Sequence, residues 1–252
     1  MANAIPPWLR IAASGFALLG YAYCHGTAVA GDTTNVGRCL AIAAQLNLGA
    51  PPARTQAKLR AGQPITIVAL GSSSTTGIGT FGPGYPEVLK TELSRLHPSL
   101  HIDVINSGRI LDTLGGMLAR LDTDVLKYKP DLVVWQLGTN AVVWHGIASN
   151  AKRSLRKGVE RLKKANADVI LMDLQDAPIV RARSSRAAME KLIADVAREE
   201  AVGLFPRYRL MRRALENGVN GLVAFDGLHN SGDGYLCIGR ALARMIDRGV
   251  SP

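Results

Sequence analysis

The stretch "ITIVALGSSSTTGIG", residues 65–79, decides how the rest of the chain is read. Ile65–Leu70 is an apolar, β-branched run of strand length, the pattern of a strand buried on both faces. It stops at Gly71, and three serines and two threonines follow before Gly77. A linker, an anion-binding loop and a nucleophile-bearing turn all use such residues. The surrounding sequence chooses among them.

Similar runs recur at Ile102–Asn106, Leu132–Leu137, Val169–Leu174 and, more weakly, Gly203–Tyr208. Helical periodicity fills the intervals at Tyr85–Leu96, Leu114–Lys127, Asn150–Lys164 and Arg186–Glu200, and Gly234–Ile246 closes the chain. Strands alternating with helices predict βαβ units with right-handed crossovers. The expected fold is a three-layer α/β/α sandwich around a five-stranded parallel sheet, as a single domain over residues 65–252. Residues 31–64 read as an N-terminal extension, with a short helix at Val36–Leu48 and a connecting stretch marked by Pro51, Pro52 and Pro64.

The chain has 252 residues, 47% of them hydrophobic and 20% charged, enough for one proper core. Residues 1–30 differ from the rest: Arg10 is their only charge, Ile11–Tyr23 is apolar, and Ala28 and Ala30 suit an A-x-A cleavage site. A secretory signal is the expectation, since the run is short of the roughly twenty residues of a membrane span. After cleavage two cysteines remain, Cys39 and Cys237, which either pair in an oxidising compartment or stay as buried thiols. The formal charge is +10, but the basic residues are scattered and aromatics make up only 5%. Nucleic-acid binding through interleaved basic and aromatic residues is therefore not expected.

In a parallel sheet the functional crevice lies beyond the carboxyl ends of the strands. The residues that follow the strands are Gly71–Thr76, then Asn106–Gly108 and Asp112, then Gly138–Asn140, then Gln175 and Asp176. Beyond the fifth strand, "FDGLHNSGDGY" supplies Asp226 and His229. A serine hydroxyl needs an imidazole to accept its proton, and the imidazole needs a carboxylate to fix its tautomer. Ser73, His229 and Asp226 supply that set, with Ser72 and Ser74 as alternatives if the turn is shifted. Asn140 and backbone amides of Ser73 and the 106–112 loop are candidate donors to an oxyanion.

The blocks "LGSSSTTG", "NSGRILDT", "LGTNA" and "DGLH" resemble, in order and rough spacing, those of SGNH hydrolases, the GDSL esterase/lipase superfamily. The resemblance spans about Ile65 to Ile246. It implies a flavodoxin-like sandwich, Ser73 as nucleophile, His229 as base, Asp226 as its partner and Asn140 as oxyanion donor, with no metal or organic cofactor. Two positions depart from the family pattern. Ser72 replaces the usual aspartate, and Leu111 occupies the place of the oxyanion glycine, with Gly108 retained as a second candidate.

Competing readings have less support. A P-loop needs G-x-x-x-x-G-K-[ST], and no lysine lies between Leu70 and Leu89. His97 and His101 have helical spacing but enclose Pro98, so no metal site is expected there. His145, after Trp144, reads first as a loop histidine without a role, with the lining of an acyl or alcohol pocket as the alternative. The expectation is an exported serine esterase acting on short-chain or carbohydrate O-acyl esters. An O-acyltransferase on envelope glycans and a weakly active glycan-binding protein are the alternatives.

Overall fold

The computed structural model describes residues 30–250, with side chains from Asn35 onward. The predicted export segment, apart from Ala30, lies outside the described residues. Five strands, β1 (Ile65–Gly71), β2 (Ile102–Gly108), β3 (Leu132–Gln136), β4 (Asp168–Met172) and β5 (Gly203–Phe205), form the expected parallel sheet, in the order β2-β1-β3-β4-β5. This is the flavodoxin-like doubly wound order, whose switch point lies between β1 and β3.

Burial on both faces explains the unbroken apolar runs. Ile65, Ile67 and Ala69 of β1, with Leu132 and Val134 of β3, enter one core. Val68 and Leu70, with Val133 and Trp135, enter the other. On the first face pack α1 (Ala30–Ala43), α4 (Tyr85–Leu96), α10 (Arg207–Glu216) and α11 (Gly232–Asp247). On the second pack α5 (Leu114–Ala119), α7 (Ala151–Lys164) and α9 (Arg186–Glu199). The remaining helices are short: α2 (Ala53–Arg60), α3 (Ser73–Thr76), α6 (Leu121–Asp124) and α8 (Pro178–Arg181).

Four elements differ from the sequence expectation, the first being α1, which spans Ala30–Ala43 instead of Val36–Leu48. The stretch expected only to connect contains α2, held by Thr55 N and Oγ1 on Asp168 Oδ2 and by Lys58 on Asp131. The helix expected over Leu114–Lys127 breaks at Arg120, whose backbone leaves helical geometry as its guanidinium turns inward. The fifth strand ends at Phe205 instead of Tyr208, because Pro206 has no N–H for the ladder and α10 begins after it.

Cys39 on α1 and Cys237 on α11, 198 positions apart in sequence, form a disulfide with Cα atoms 6.1 Å apart. The extension is thereby fixed to the last helix, and Val36, Leu40, Leu46 and Leu59 belong to the core.

Under the carboxyl ends of β4 and β5 the interior is polar. Arg207 is fully buried and donates to the Asp173 carbonyl through Nε and Nη2, at 3.0 and 2.7 Å. Burial pulls this guanidinium down to about 10, and burial pushes the neighbouring Asp173 carboxyl up to about 7.

Two predictions follow the geometry of this interior and the cross-link. Replacing both Cys39 and Cys237 with alanine should lower the unfolding free energy by roughly 2–4 kcal/mol, measured by urea denaturation. For Asp173, an unfolded carboxyl loses its proton near about pH 4, whereas the folded one keeps it to about 7. The folded state thus binds the extra proton across that window, and stability falls as pH rises through it. Asp173→Asn should remove this decline in denaturation midpoints, while its Oδ1 still accepts from Tyr208 N–H.

Candidate active site

Four loops at the carboxyl edge bring the predicted residues together. Ser73 is the first residue of α3, immediately beyond β1. Its Oγ lies 2.8 Å from His229 Nε2, and His229 Nδ1 lies 2.5 Å from Asp226 Oδ2. The Asp-x-x-His spacing works because Asp226 Oδ1 accepts the N–H groups of Leu228 and His229, each at 2.9 Å. One carboxylate oxygen folds the loop and the other holds the ring. Partial burial raises the Asp226 carboxyl, but hydrogen bonds from the His229 ring and the two amides outweigh it, and the group stays ionised below the usual range.

The nucleophile turn is set by Gln136 at the end of β3. Its Oε1 accepts from Ser72 N, Ser72 Oγ and Thr75 Oγ1 at 3.0, 3.1 and 3.2 Å. Ser72 and Ser74 are buried, so Ser73 is the serine of this turn that faces the imidazole. Gln175, beyond β4, does the same for the other side. It donates to the Leu228 carbonyl at 3.1 Å and accepts from Thr139 and Arg207, both at 2.8 Å. Gly79 lets the loop after α3 pass close by, since a Cβ there would meet Asn230 O at 2.4 Å and His229 Cβ at 2.8 Å.

The oxyanion candidates are arranged unequally. Asn140 is buried, makes no capping bond to the following π-helical turn, Ala141–His145, and spends one Nδ2 hydrogen on the Asp112 carbonyl at 2.8 Å. Its second hydrogen remains for a ligand. Gly108 is less suitable, because its N–H is donated to Asn106 Oδ1 at 3.1 Å. It serves packing instead: a Cβ at this position would meet Thr76 N of α3 at 2.6 Å. Leu111 takes the left-handed conformation, φ 60°, in the turn closed by Asp112 N–H on Arg109 O. The leucine therefore keeps a backbone geometry suited to glycine, at a conformational cost of roughly 1–2 kcal/mol.

Three residues with structural weight here, Gln136, Gln175 and Arg120, carried no assigned role in the sequence. Arg120 bonds Asp112, Asp124, Ser107 and the Gly71 carbonyl, tying the ends of β1 and β2 together. Its only sequence signal was a lone arginine in an otherwise amphipathic segment. His97 and His101 have partners outside the triad. His97 pairs with Asp247 at 2.7 Å, and His101 with Asp103 at 2.9 Å.

Beside Ser72 and Asn140 opens a cavity of about 410 Å³. Met117, Leu118, Leu137, Met189 and Leu192 give it an apolar lining, and His145 stands among the polar groups. Its size falls within the range of small-molecule sites, about 300–1,000 Å³.

Hydroxyl, imidazole and carboxylate thus lie in series at the carboxyl edge of a doubly wound sheet, the arrangement that serine hydrolases use. The chain belongs to the Non-GDSL lipase-like family, whose profile matches residues 38–252. It is 28% identical over 203 residues to an acetylxylan esterase of Geobacillus stearothermophilus, covering 72% of this chain and 90% of that one. It is 28% identical over 171 residues to the esterase TesA of Pseudomonas aeruginosa, covering 67% and 80%. A lipase/acylhydrolase from Enterococcus faecalis shares the fold at TM-score 0.62 and 24% identity, over 73% of this chain and 96% of that one. The crystal structure of the Geobacillus stearothermophilus acetylxylan esterase shares it at 0.63 and 24%, over 72% and 94%. The protein is a carboxylic ester hydrolase of the SGNH type.

Gln136→Leu would leave the Ser72 amide and two buried hydroxyls without their acceptor. We expect a loss of roughly 1–3 kcal/mol in stability and a lower kcat with KM little changed, measured by denaturation and steady-state kinetics.

Proposed function

We propose that the protein is an exported serine esterase in which Ser73, His229 and Asp226 form a catalytic triad. The continuous relay from Ser73 Oγ through both nitrogens of His229 to Asp226 carries this reading. His229 Nε2 takes the hydroxyl proton as Ser73 Oγ bonds to the ester carbonyl carbon. The oxyanion that develops is held by the Ser73 amide, the free Asn140 Nδ2 hydrogen and the Leu111 amide. Collapse of the intermediate breaks the ester C–O bond, and the imidazolium gives its proton to the departing alcohol. Water then repeats the sequence, deprotonated by His229, and releases the carboxylic acid with Ser73 restored.

The apolar cavity beside Asn140 supports an acyl group that extends beyond the carbonyl into that space. Kinship with an acetylxylan esterase favours a second reading, O-acetyl groups on a carbohydrate. The disulfide supports export, since such bonds persist in oxidising compartments.

Ser73→Ala should reduce turnover of p-nitrophenyl esters by at least about 10³-fold. A fluorophosphonate should label Ser73 in the unsubstituted protein, located by peptide mass spectrometry. Undiminished turnover in the variant, or an adduct elsewhere, rejects the assignment. A panel from acetyl to decanoyl esters, with an acetylated sugar, separates the two substrates: a rising kcat/KM with chain length supports the cavity as acyl site.

A further inference from the structure

Among the described residues, Phe205 is buried in the core, whereas Phe81 and Phe225 are fully exposed. Both exposed rings are carried on loops that meet at His229. Gly79 packs so closely on the histidine loop that a Cβ there would lie 2.8 Å from His229 Cβ and 3.3 Å from Ala224 Cβ. Phe81 is two positions beyond Gly79, and Phe225 directly follows Ala224. The first loop is pinned by the Tyr235 hydroxyl on the Ile78 carbonyl at 2.6 Å, the second by Ala224 N–H on the His229 carbonyl at 2.8 Å. No residue of 77–84 or 217–231 lines the acyl cavity, whose wall includes Ser72 and Asn140. The other exposed apolar groups of this edge, Ile110, Leu111 and Trp144, lie within two positions of that wall in sequence.

We propose that Phe81 and Phe225 form an aromatic platform for the alcohol half of the substrate, and that this alcohol is an uncharged sugar. The inference rests on the triad and acyl-cavity reading above. In that mechanism the leaving oxygen takes its proton from His229 Nε2, so the alcohol lies on the histidine side of Ser73 while the acyl group enters the cavity. Charge and shape select its class. Residues 77–84 and 217–231 hold no lysine or arginine, in a chain that has 30, and Asp226 among them stays ionised. Glu87, in the first turn of α4, adds a carboxylate that accepts from the neutral Asn106 amide. A phosphorylated or carboxylated alcohol finds no cation in these loops and is repelled by the carboxylates. A pyranose offers C–H faces that cover exposed rings, and hydroxyls that need donors. Thr80 Oγ1 accepts from Gly82 N–H at 2.9 Å and keeps its own hydrogen for such a hydroxyl.

The test compares two esters that share the acetyl group and differ in the alcohol, methyl tri-O-acetyl-xyloside and ethyl acetate. Phe81→Leu/Phe225→Leu keeps apolar area but removes the ring faces. In this variant the ratio of kcat/KM for the sugar ester to that for ethyl acetate should fall about tenfold, and Phe81→Tyr/Phe225→Tyr should retain it. Because Phe225 adjoins Asp226, Phe81→Leu alone provides a second variant outside the histidine loop, with the same expected direction. Binding gives the comparison without turnover. Calorimetric titration of Ser73→Ala with the xyloside should give a Kd that rises about tenfold when both leucines are added. Should Ser73→Ala still hydrolyse the esters, the nucleophile assignment fails, while the ratio in the active protein still decides the platform. A ratio unaltered in both leucine variants, a Kd that the leucines leave as it was, or a higher kcat/KM on acetylated glycerol phosphate than on the xyloside would overturn the proposal.

Discussion

The hydrogen bond between Ser73 Oγ and His229 Nε2 joins residues 156 positions apart. Almost every other feature of the carboxyl edge supports that one distance. Reactive groups have to be held closely, because a displacement of about 1 Å costs on the order of 10² in rate. The sheet supplies the coarse placement: β1 lies between β2 and β3, so the turn after it is surrounded by neighbouring loops. Side chains at the strand ends then refine it. Gln136 fixes the serine turn from beneath, Gln175 fixes the carbonyl beside His229, and Arg120 binds the β1 and β2 ends. Each is buried, so these bonds act where water does not compete.

The sheet, the four site loops and the meeting of Ser73, His229 and Asp226 were legible because each depends on local pattern. An apolar run followed by Gly71 and serines reads the same in sequence and in space, and Asp226–His229 is a local turn. Arg120 and Arg207 were not legible, because their roles arise from burial, and arginine composition alone suggests solvent. Arg120 also explains why an amphipathic segment failed as one helix: its guanidinium reaches Gly71 only if the backbone breaks there. The missed helix α2 depends on contacts with Asp131 and Asp168, more than seventy residues away, which no local window contains. Tyr208 was misplaced for a simpler reason, since Pro206 outweighed the apolar character around it.

Polar burial of this kind has a cost that the fold bears behind the catalytic edge. Arg207 is held by two acceptors, yet its Nη1 has no partner among the described residues, and burial lowers the affinity of the guanidinium for its proton. The raised Asp173 carboxyl is the matching cost on the acid side. Leu111 adds backbone strain at the turn beside Asn140. These costs gather around the ends of β2, β4 and β5, where positions are dictated by chemistry more than by stability, and the two apolar cores offset them.

The two sides of the site are built with unequal rigidity. The histidine loop leads directly into α11, a helix of 16 residues whose Cys237 is covalently tied to α1. The cavity wall combines the six-residue α5 and the five-residue turn Ala141–His145 with residues of α7 and α9. Short segments carry few backbone hydrogen bonds and adapt to substitution more readily than long helices. Within that wall, α5 and the Ala141–His145 turn are therefore the parts best able to vary without moving Ser73 and His229. Changes at Met117, Leu118 or Ile147 can reshape the cavity while the Ser73–His229 distance stays under the control of Gln136, Gln175 and α11.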